Sequence, residues 1–142
     1  MGERIHPWRR LRALGEAWTL HWHHPDDDDR MGVTRHGAKE ISLREDLTWA
    51  ERRCTALHET LHAERGPANA GVLHEREELA VRKITARLML PDVRAIGEAL
   101  AWALSPEECA DELMVDAEVL RDRLRYLHPA ERHYLTRRLA EM

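Results

Sequence analysis

The spacing of apolar residues changes once along the chain. In "AWTLHWHH", Trp18, Leu20 and Trp22 alternate with polar residues, which is the period of two typical of a β-strand with one buried face. "GVTRHG" and "KEISLRE" follow, separated at Gly37 and containing β-branched residues, and they predict a hairpin that extends a small antiparallel sheet. From Thr48 onward the apolar residues recur every three or four positions, so helices are predicted for the rest of the chain.

The first of these helices has clear start and stop signals. Thr48 and Glu51 form the pattern T-x-x-E of a capping box, and Gly66 followed by Pro67 is typical of a helix end. Between them runs an apolar stripe that can pack on the sheet: Ala50, Cys54, Leu57 and Leu61.

Strands first and helices afterwards predict the α+β class. A short basic helix is expected over residues 6–16, and further helices over 75–89, from "VRAIGEALAWAL" to Leu104, and in "SPEECADEL", "AEVLRDRLRYL" and "PAERHYLTRRLAEM". The chain has 142 residues, the size of one typical domain. We therefore predict a single domain over 1–142, in which residues 1–104 form the core and residues 105–142 a C-terminal helical extension.

Composition narrows the classes of function. The net charge of −4 provides no general basic field for nucleic acid or anionic lipid. No apolar run approaches the ~20 residues that span a bilayer, and the N-terminus lacks the apolar run of a signal peptide. Cys54 and Cys109 form no C-x-x-C pair, so we expect reduced thiols and a cytoplasmic protein. "PDDDDRMG" is predicted to be a solvated turn in which Gly32 permits a positive φ.

The chemistry of greatest interest lies in "CTALHETLHAERGP". Residues i and i+4 of a helix point the same way, so His58 and His62 can offer two imidazole nitrogens to one metal ion. Glu59 points to the side, where it can act on a water molecule without being a ligand. Each histidine directly follows a residue of the apolar stripe, which places both at the edge of the buried face. A catalytic zinc site would need one more protein ligand.

Candidates for that third ligand lie in the next predicted helix. They are His74, Glu75, Glu77 and Glu78. The buried side of this helix is predicted to carry Ala80, Ile84 and Leu88. Glu77 falls on that side, and Glu78 lies beside it together with Val81 and Thr85. Spacing alone does not choose between the two glutamates.

The two segments together resemble a known family. "ERRCTALHETLHAERGP" followed by "EELAVRKITARLMLP" is similar to the zincin-like metallopeptidases of the ImmA/IrrE family, which are cytoplasmic and associated with prophages and mobile elements. The resemblance covers roughly residues 33–92. The register taken from Pro91, Leu88 and Ala86 puts Glu78 at the family's ligand glutamate. The chain departs from the family pattern at Leu61 and at Val81 and Arg82.

This resemblance implies a function. It implies a metallopeptidase in which Zn²⁺ is held by His58, His62 and Glu78 and Glu59 is the catalytic general base. It also implies a protein substrate, a helix-turn-helix transcriptional repressor. A zincin-like helical core between the sheet and the C-terminal helices is the fold that it implies.

A competing hypothesis comes from residues 105–127. "SPEECADELMVDAEVLRDRL" resembles a helix-turn-helix, with an inward-facing set predicted at Ala110, Val115, Val119 and Leu120. Its second helix would offer Arg121, Arg123 and Arg125 to DNA. On this hypothesis the protein is a non-enzymatic transcription regulator or repressor-binding protein, and zinc is structural or absent. Acidic flanks and the negative net charge favour a helical hairpin over a DNA reader.

Overall fold

A computed structural model describes residues 4–68 and 71–141 as a small sheet followed by helices, which confirms the α+β class. The elements are α1 (Pro7–Arg12), β1 (Thr19–His23), β2 (Gly32–Arg35), β3 (Glu40–Arg44), α2 (Trp49–Arg65), α3 (Val72–Met89), α4 (Val93–Trp102), α5 (Pro106–Leu113), α6 (Ala117–Arg125) and α7 (Pro129–Ala140). Within the described ranges, none of these helices combines the length and the apolar character needed to cross a bilayer.

The chain divides into two compact units. His6–Thr85 forms the first, which contains α1, the sheet, α2 and most of α3. The second includes everything described after Thr85, with α4 to α7. The division therefore falls inside α3, whereas the boundary between core and extension was predicted at residue 104. That the chain is a single domain stays a prediction.

The sheet is mixed, with strand order β1-β3-β2. The predicted hairpin is confirmed, because β2 pairs antiparallel with β3, from Gly32 opposite Leu43 to Arg35 opposite Glu40. The prediction of a wholly antiparallel sheet was wrong, because β1 pairs with β3 in parallel. The turn after β1 reverses the chain as expected, but β3 then takes the place between β1 and β2. It consequently runs in the same direction as β1.

Ile41, Leu43 and Ala56 form one buried hydrophobic cluster of the first unit. Partly buried residues pack around them: Trp8, Leu11, Leu14, Trp18, Leu20 and Ala63. The prediction that Trp22 is also core was wrong, since 46% of it is exposed. Trp22 lies near the end of an edge strand, where it contacts Trp8 at 6.5 Å between ring centroids and the guanidinium of Arg52 at 5.3 Å.

Helix α2 begins and ends where its sequence signals predict. The Oγ1 of Thr48 accepts a hydrogen bond from the Glu51 backbone N–H at 3.2 Å, and Oε1 of Glu51 accepts one from the Thr48 N–H at 2.9 Å. This is the predicted capping box. After Arg65 the chain leaves the helix through Gly66, whose φ is 87°. Cys54, Leu57 and Leu61 of the predicted stripe are all buried.

The helical hairpin of the second unit also forms as predicted. Ser105 caps α5 by accepting from the N–H of Glu108 at 3.1 Å, and Met114 makes the turn in the left-handed conformation. The predicted inward-facing set is buried: Ala110, Val115, Val119 and Leu120. Cys54 and Cys109 are not joined by a disulfide and are buried in separate units, as expected of small apolar residues.

The competing hypothesis requires three arginines of the second hairpin helix to contact DNA, and one of them is buried. The side chain of Arg123 is 1% exposed, its Nε donates to the carbonyl of Leu90 at 2.8 Å, and its Nη1 donates to Glu131 Oε1 at 3.1 Å. Arg87 donates to the same Glu131 oxygen at 2.8 Å. The prediction that Arg123 faces outward was wrong, because this arginine neutralises a half-buried carboxylate from α7. Arg121 and Arg125 remain exposed.

Candidate metal centre

Three of the predicted ligands converge in the first unit. His58 Nε2 lies 2.9 Å from Oε1 of Glu78, His62 Nε2 lies 2.8 Å from its Oε2, and the two Nε2 atoms are 3.2 Å apart. Among the described residues, these side chains form the single group of three or more His, Cys, Asp or Glu whose ligand atoms all lie within 4.8 Å of one another. One nitrogen from each imidazole and one carboxylate are therefore arranged around a common point.

The position of Glu78 follows from the buried face of α3. Val81 and Thr85, three and seven residues after Glu78, are 0% and 2% exposed. The predicted buried side was wrong in register, because Ala80, Ile84 and Leu88 are only half-buried. Since Glu78 shares the more buried face, its side chain points towards the histidines of α2.

The other candidate ligands lie elsewhere. Arg65 donates to Glu77 through Nε and, at 3.2 Å, through Nη2, and this hydrogen bonding lowers the pKa of the Glu77 carboxyl. His74 and Glu75 are exposed on the first turn of α3 and are not in the cluster. The carboxylate in the centre is therefore Glu78.

The centre combines partly buried nitrogen donors with a carboxylate that reaches solvent. The side chains of His58 and His62 are 18% and 14% exposed, whereas that of Glu78 is 42% exposed. Hydrogen bonds from His58 and then His62 hold the pKa of the Glu78 carboxyl well below its usual range. His36 lies nearby in the β2–β3 turn, where burial and then the charge of His62 lower its pKa.

The donor set fits a zinc ion. Zinc takes imidazole nitrogens and carboxylate oxygens at about 2.0–2.1 Å, so ligand atoms in tetrahedral geometry are about 3.3 Å apart. The observed separations of 2.8, 2.9 and 3.2 Å differ from this by a few tenths of an ångström. Three protein ligands with one accessible side are also the arrangement of catalytic zinc sites, which keep their fourth position open.

Glu59 lies beside this centre and is held by strand β2. It is 7% exposed, and its Oε2 is 4.0 Å from His58 Nε2. The hydroxyl of Thr34 donates to Oε1 of Glu59 at 2.8 Å and also lies 3.1 Å from its backbone carbonyl. One carboxylate oxygen is thus held by the strand, and the other lies on the side of His58. Sequence reasoning assigned Glu59 but missed Thr34.

Gly32 was also missed in this role. The prediction that Gly32 belongs to the turn was wrong, because Gly32 is the first residue of strand β2 and does not use the positive φ that glycine permits. A Cβ atom at position 32 would lie 2.5 Å from Cγ2 of Thr55 and 2.7 Å from Cγ of Glu59. Glycine is required here for a close approach of the strand to α2. The signal was present, since Gly32 and Thr34 are two apart and share one face of a predicted strand.

Gly32→Ala is expected to lower the free energy of unfolding by about 1–3 kcal/mol, because the added methyl group overlaps buried Thr55 and displaces Glu59. Urea denaturation measures the change. Gly37→Ala is the matched control in the same hairpin, since a Cβ there meets no atom within 4 Å, and it should change stability by at most about 0.5 kcal/mol. Equal stabilities for the two variants would contradict the close contact.

Comparisons of the chain with protein-family models, with curated proteins and with solved structures found no match. Support for the candidate metal centre therefore comes from the geometry of His58, His62 and Glu78.

Proposed function

We propose that the protein is a zinc-dependent metalloendopeptidase, with His58, His62 and Glu78 as metal ligands and Glu59 as general base. The observation that carries this proposal is the convergence of both imidazoles on Glu78 at 2.9 and 2.8 Å, with the Glu59 carboxylate held next to them. The three ligands by themselves fit a structural metal site as well as a catalytic one. A buried carboxylate that is oriented by Thr34 but is not itself in the ligand cluster favours catalysis.

Zinc in such a site supplies Lewis acidity, which polarises water and the carbonyl group of a peptide. Glu59 accepts a proton from the water molecule while the oxygen of that water forms a bond to the carbonyl carbon of the peptide. It then delivers that proton to the amide nitrogen as the C–N bond breaks, so that a carboxylate and an amine leave. Thr34 keeps Oε1 of Glu59 in place during both transfers, and Oε2 on the side of His58 is the oxygen that moves the proton.

The substrate that we propose is a helix-turn-helix transcriptional repressor, and the site of action the cytoplasm. This part rests on the resemblance to the ImmA/IrrE family in residues 33–92. Cleavage of such a repressor would release the genes that it represses.

Purified protein is expected to contain about one zinc ion per chain, and His58→Ala and Glu78→Ala should lose it because two remaining ligands bind zinc weakly. Elemental analysis measures the metal content. Glu77→Ala is the matched control, because the adjacent glutamate pairs with Arg65 and lies outside the cluster. Equal zinc contents in Glu78→Ala and Glu77→Ala would refute the ligand assignment.

Substrate and cleavage are tested together by co-expression. The protein is produced together with a helix-turn-helix repressor, and intact repressor is quantified by mass spectrometry for wild type, Glu78→Ala and Glu77→Ala. The proposal requires loss of intact repressor with wild type and with Glu77→Ala, but not with Glu78→Ala. Intact repressor in all three cultures, from zinc-loaded protein, would rule out this substrate.

A further inference from the structure

A groove lies between α4 and α5 in the second unit. It has a volume of about 700 Å³ and apolar walls from both helices. Its floor includes Met89, Leu90, Ala99 and Leu113, all of them buried. None of these residues belongs to the metal centre, which lies in the first unit.

Two large apolar side chains at and just after the end of α4 are exposed to solvent. Trp102, in the last turn of α4, lines the groove and is 80% exposed, and Leu104, two residues later, is 91% exposed. An exposed tryptophan beside an apolar groove is typical of residues that dominate binding at protein interfaces. The groove volume is within the range of small-molecule pockets, so the exposed Trp102 is the feature that favours a protein partner.

The polar rim of the groove is acidic. Asp92, Glu98, Glu108 and Glu112 contribute carboxylates. Glu98 is neutralised by Arg138, whose Nε lies 2.8 Å from it. Within the described part of the chain, Glu108 and Glu112 have no ion pair, and the one basic lining residue, Arg4, donates to the backbone carbonyl of Leu113. The rim thus retains negative charge beside an apolar floor.

We propose that this groove binds an amphipathic helix of a protein partner, with an apolar face against α4 and α5 and lysine or arginine residues opposite Glu108 and Glu112. The apolar floor together with Trp102 accommodates the side chains of one helix face. The free carboxylates of the rim select basic flanks and disfavour acidic ones. This inference is independent of the metal centre, since it needs neither zinc nor Glu59.

The test uses a fluorescein-labelled helical peptide of about 18 residues, with leucines on one face and lysines on the other. Its binding to the full chain is measured by anisotropy at about 0.1 M salt, which screens distant charges. We expect Trp102→Ala to weaken binding about tenfold or more. The double variant Glu108→Gln/Glu112→Gln should weaken it about threefold to tenfold.

Matched control variants distinguish binding at the groove from nonspecific electrostatic attraction of the peptide to a negatively charged protein. Glu107→Gln/Asp111→Asn removes the same two charges from exposed positions of α5 that do not line the groove. Trp49→Ala removes a tryptophan that is 58% exposed in the first unit. Both controls should change the dissociation constant by less than about twofold. A peptide with glutamate in place of lysine should not bind.

Three outcomes would overturn the inference. They are no binding of the lysine peptide, equal weakening by the Glu108/Glu112 and Glu107/Asp111 pairs, and an affinity unchanged in Trp102→Ala. Because Trp102 and both glutamates are exposed, these variants should keep the fold, which circular dichroism verifies for each.

Discussion

Glu59→Gln should lower the rate of repressor cleavage by about 10²–10⁴-fold, the range that general acid–base catalysis contributes, while leaving one zinc ion bound. Glutamine has the same shape as glutamate, and its amide oxygen can still accept the hydrogen bond from Thr34. It cannot take up a proton from water, however. Single-turnover cleavage of purified repressor at saturating zinc measures the rate without interference from product release.

The control for this experiment is Glu64→Gln. Glu64 lies on the same helix, but it is exposed and pairs with Arg10 at 2.9 Å, away from the metal ligands. Its replacement should leave both the cleavage rate and the zinc content at wild-type values. A cleavage rate in Glu59→Gln within about twofold of wild type would eliminate Glu59 as the base. Loss of zinc in Glu59→Gln would instead show that Glu59 supports the metal site.

The second large effect is expected on stability, from Glu131→Gln. Arg123 is 1% exposed and depends on Glu131 for charge neutralisation, so removing the carboxylate leaves a buried cation without its counter-charge. We expect the free energy of unfolding at neutral pH to fall by about 3 kcal/mol, measured by urea denaturation. Glu98→Gln is the matched control. It removes a carboxylate that pairs with Arg138 at the surface and should have a much smaller effect.

The ion pair of Arg123 and Glu131 also predicts that stability depends on pH. Arg123, with Arg87 and the backbone N–H of His128, holds the pKa of the Glu131 carboxyl well below its ordinary value of 4.5. Because the folded-state pKa is the lower one, the stabilisation is complete above pH 4.5 and is lost as the pH falls towards the folded pKa. The difference in stability between wild type and Glu131→Gln should therefore be constant from neutral pH down to about 5 and shrink below 4.5. A difference that persists undiminished at pH 3 would contradict this coupling.

The parts of the fold that local chemistry determines were predictable from sequence. The capping box of Thr48 and Glu51, the helix end at Gly66 and the cap at Ser105 each depend on residues within one turn of one another. The spacing of His58 and His62 is likewise a property of a single helix. In each of these features the interacting residues are close together in the sequence, so a short segment is enough to predict the interaction.

The errors concern partners that are distant in the sequence. The parallel pairing of β1 with β3 depends on which strand lies between the other two, and the alternation of apolar and polar residues in β1 does not specify its neighbour. Arg123 looked like a solvent-facing residue of α6 because its counter-charge, Glu131, belongs to the next helix. Glu78 was selected over Glu77 by family resemblance, whereas helix periodicity alone put Glu77 on the buried side. In the structure Glu78 lies on the more buried side of α3, because Val81 and Thr85 on that side are buried.

A metallopeptidase must both bind its metal and orient its general base, and in this protein the two properties depend on different elements. The side chains proposed as metal ligands belong to helices α2 and α3, whereas the orientation of Glu59, the proposed base, depends on Gly32 and Thr34 of an edge strand. On the proposed function, mutations in this short strand can abolish hydrolysis without affecting metal affinity. A single methyl group at position 32 would then convert an enzyme into a metal-binding protein that retains its ligands, and among related sequences the residue at this position would distinguish active members from inactive ones.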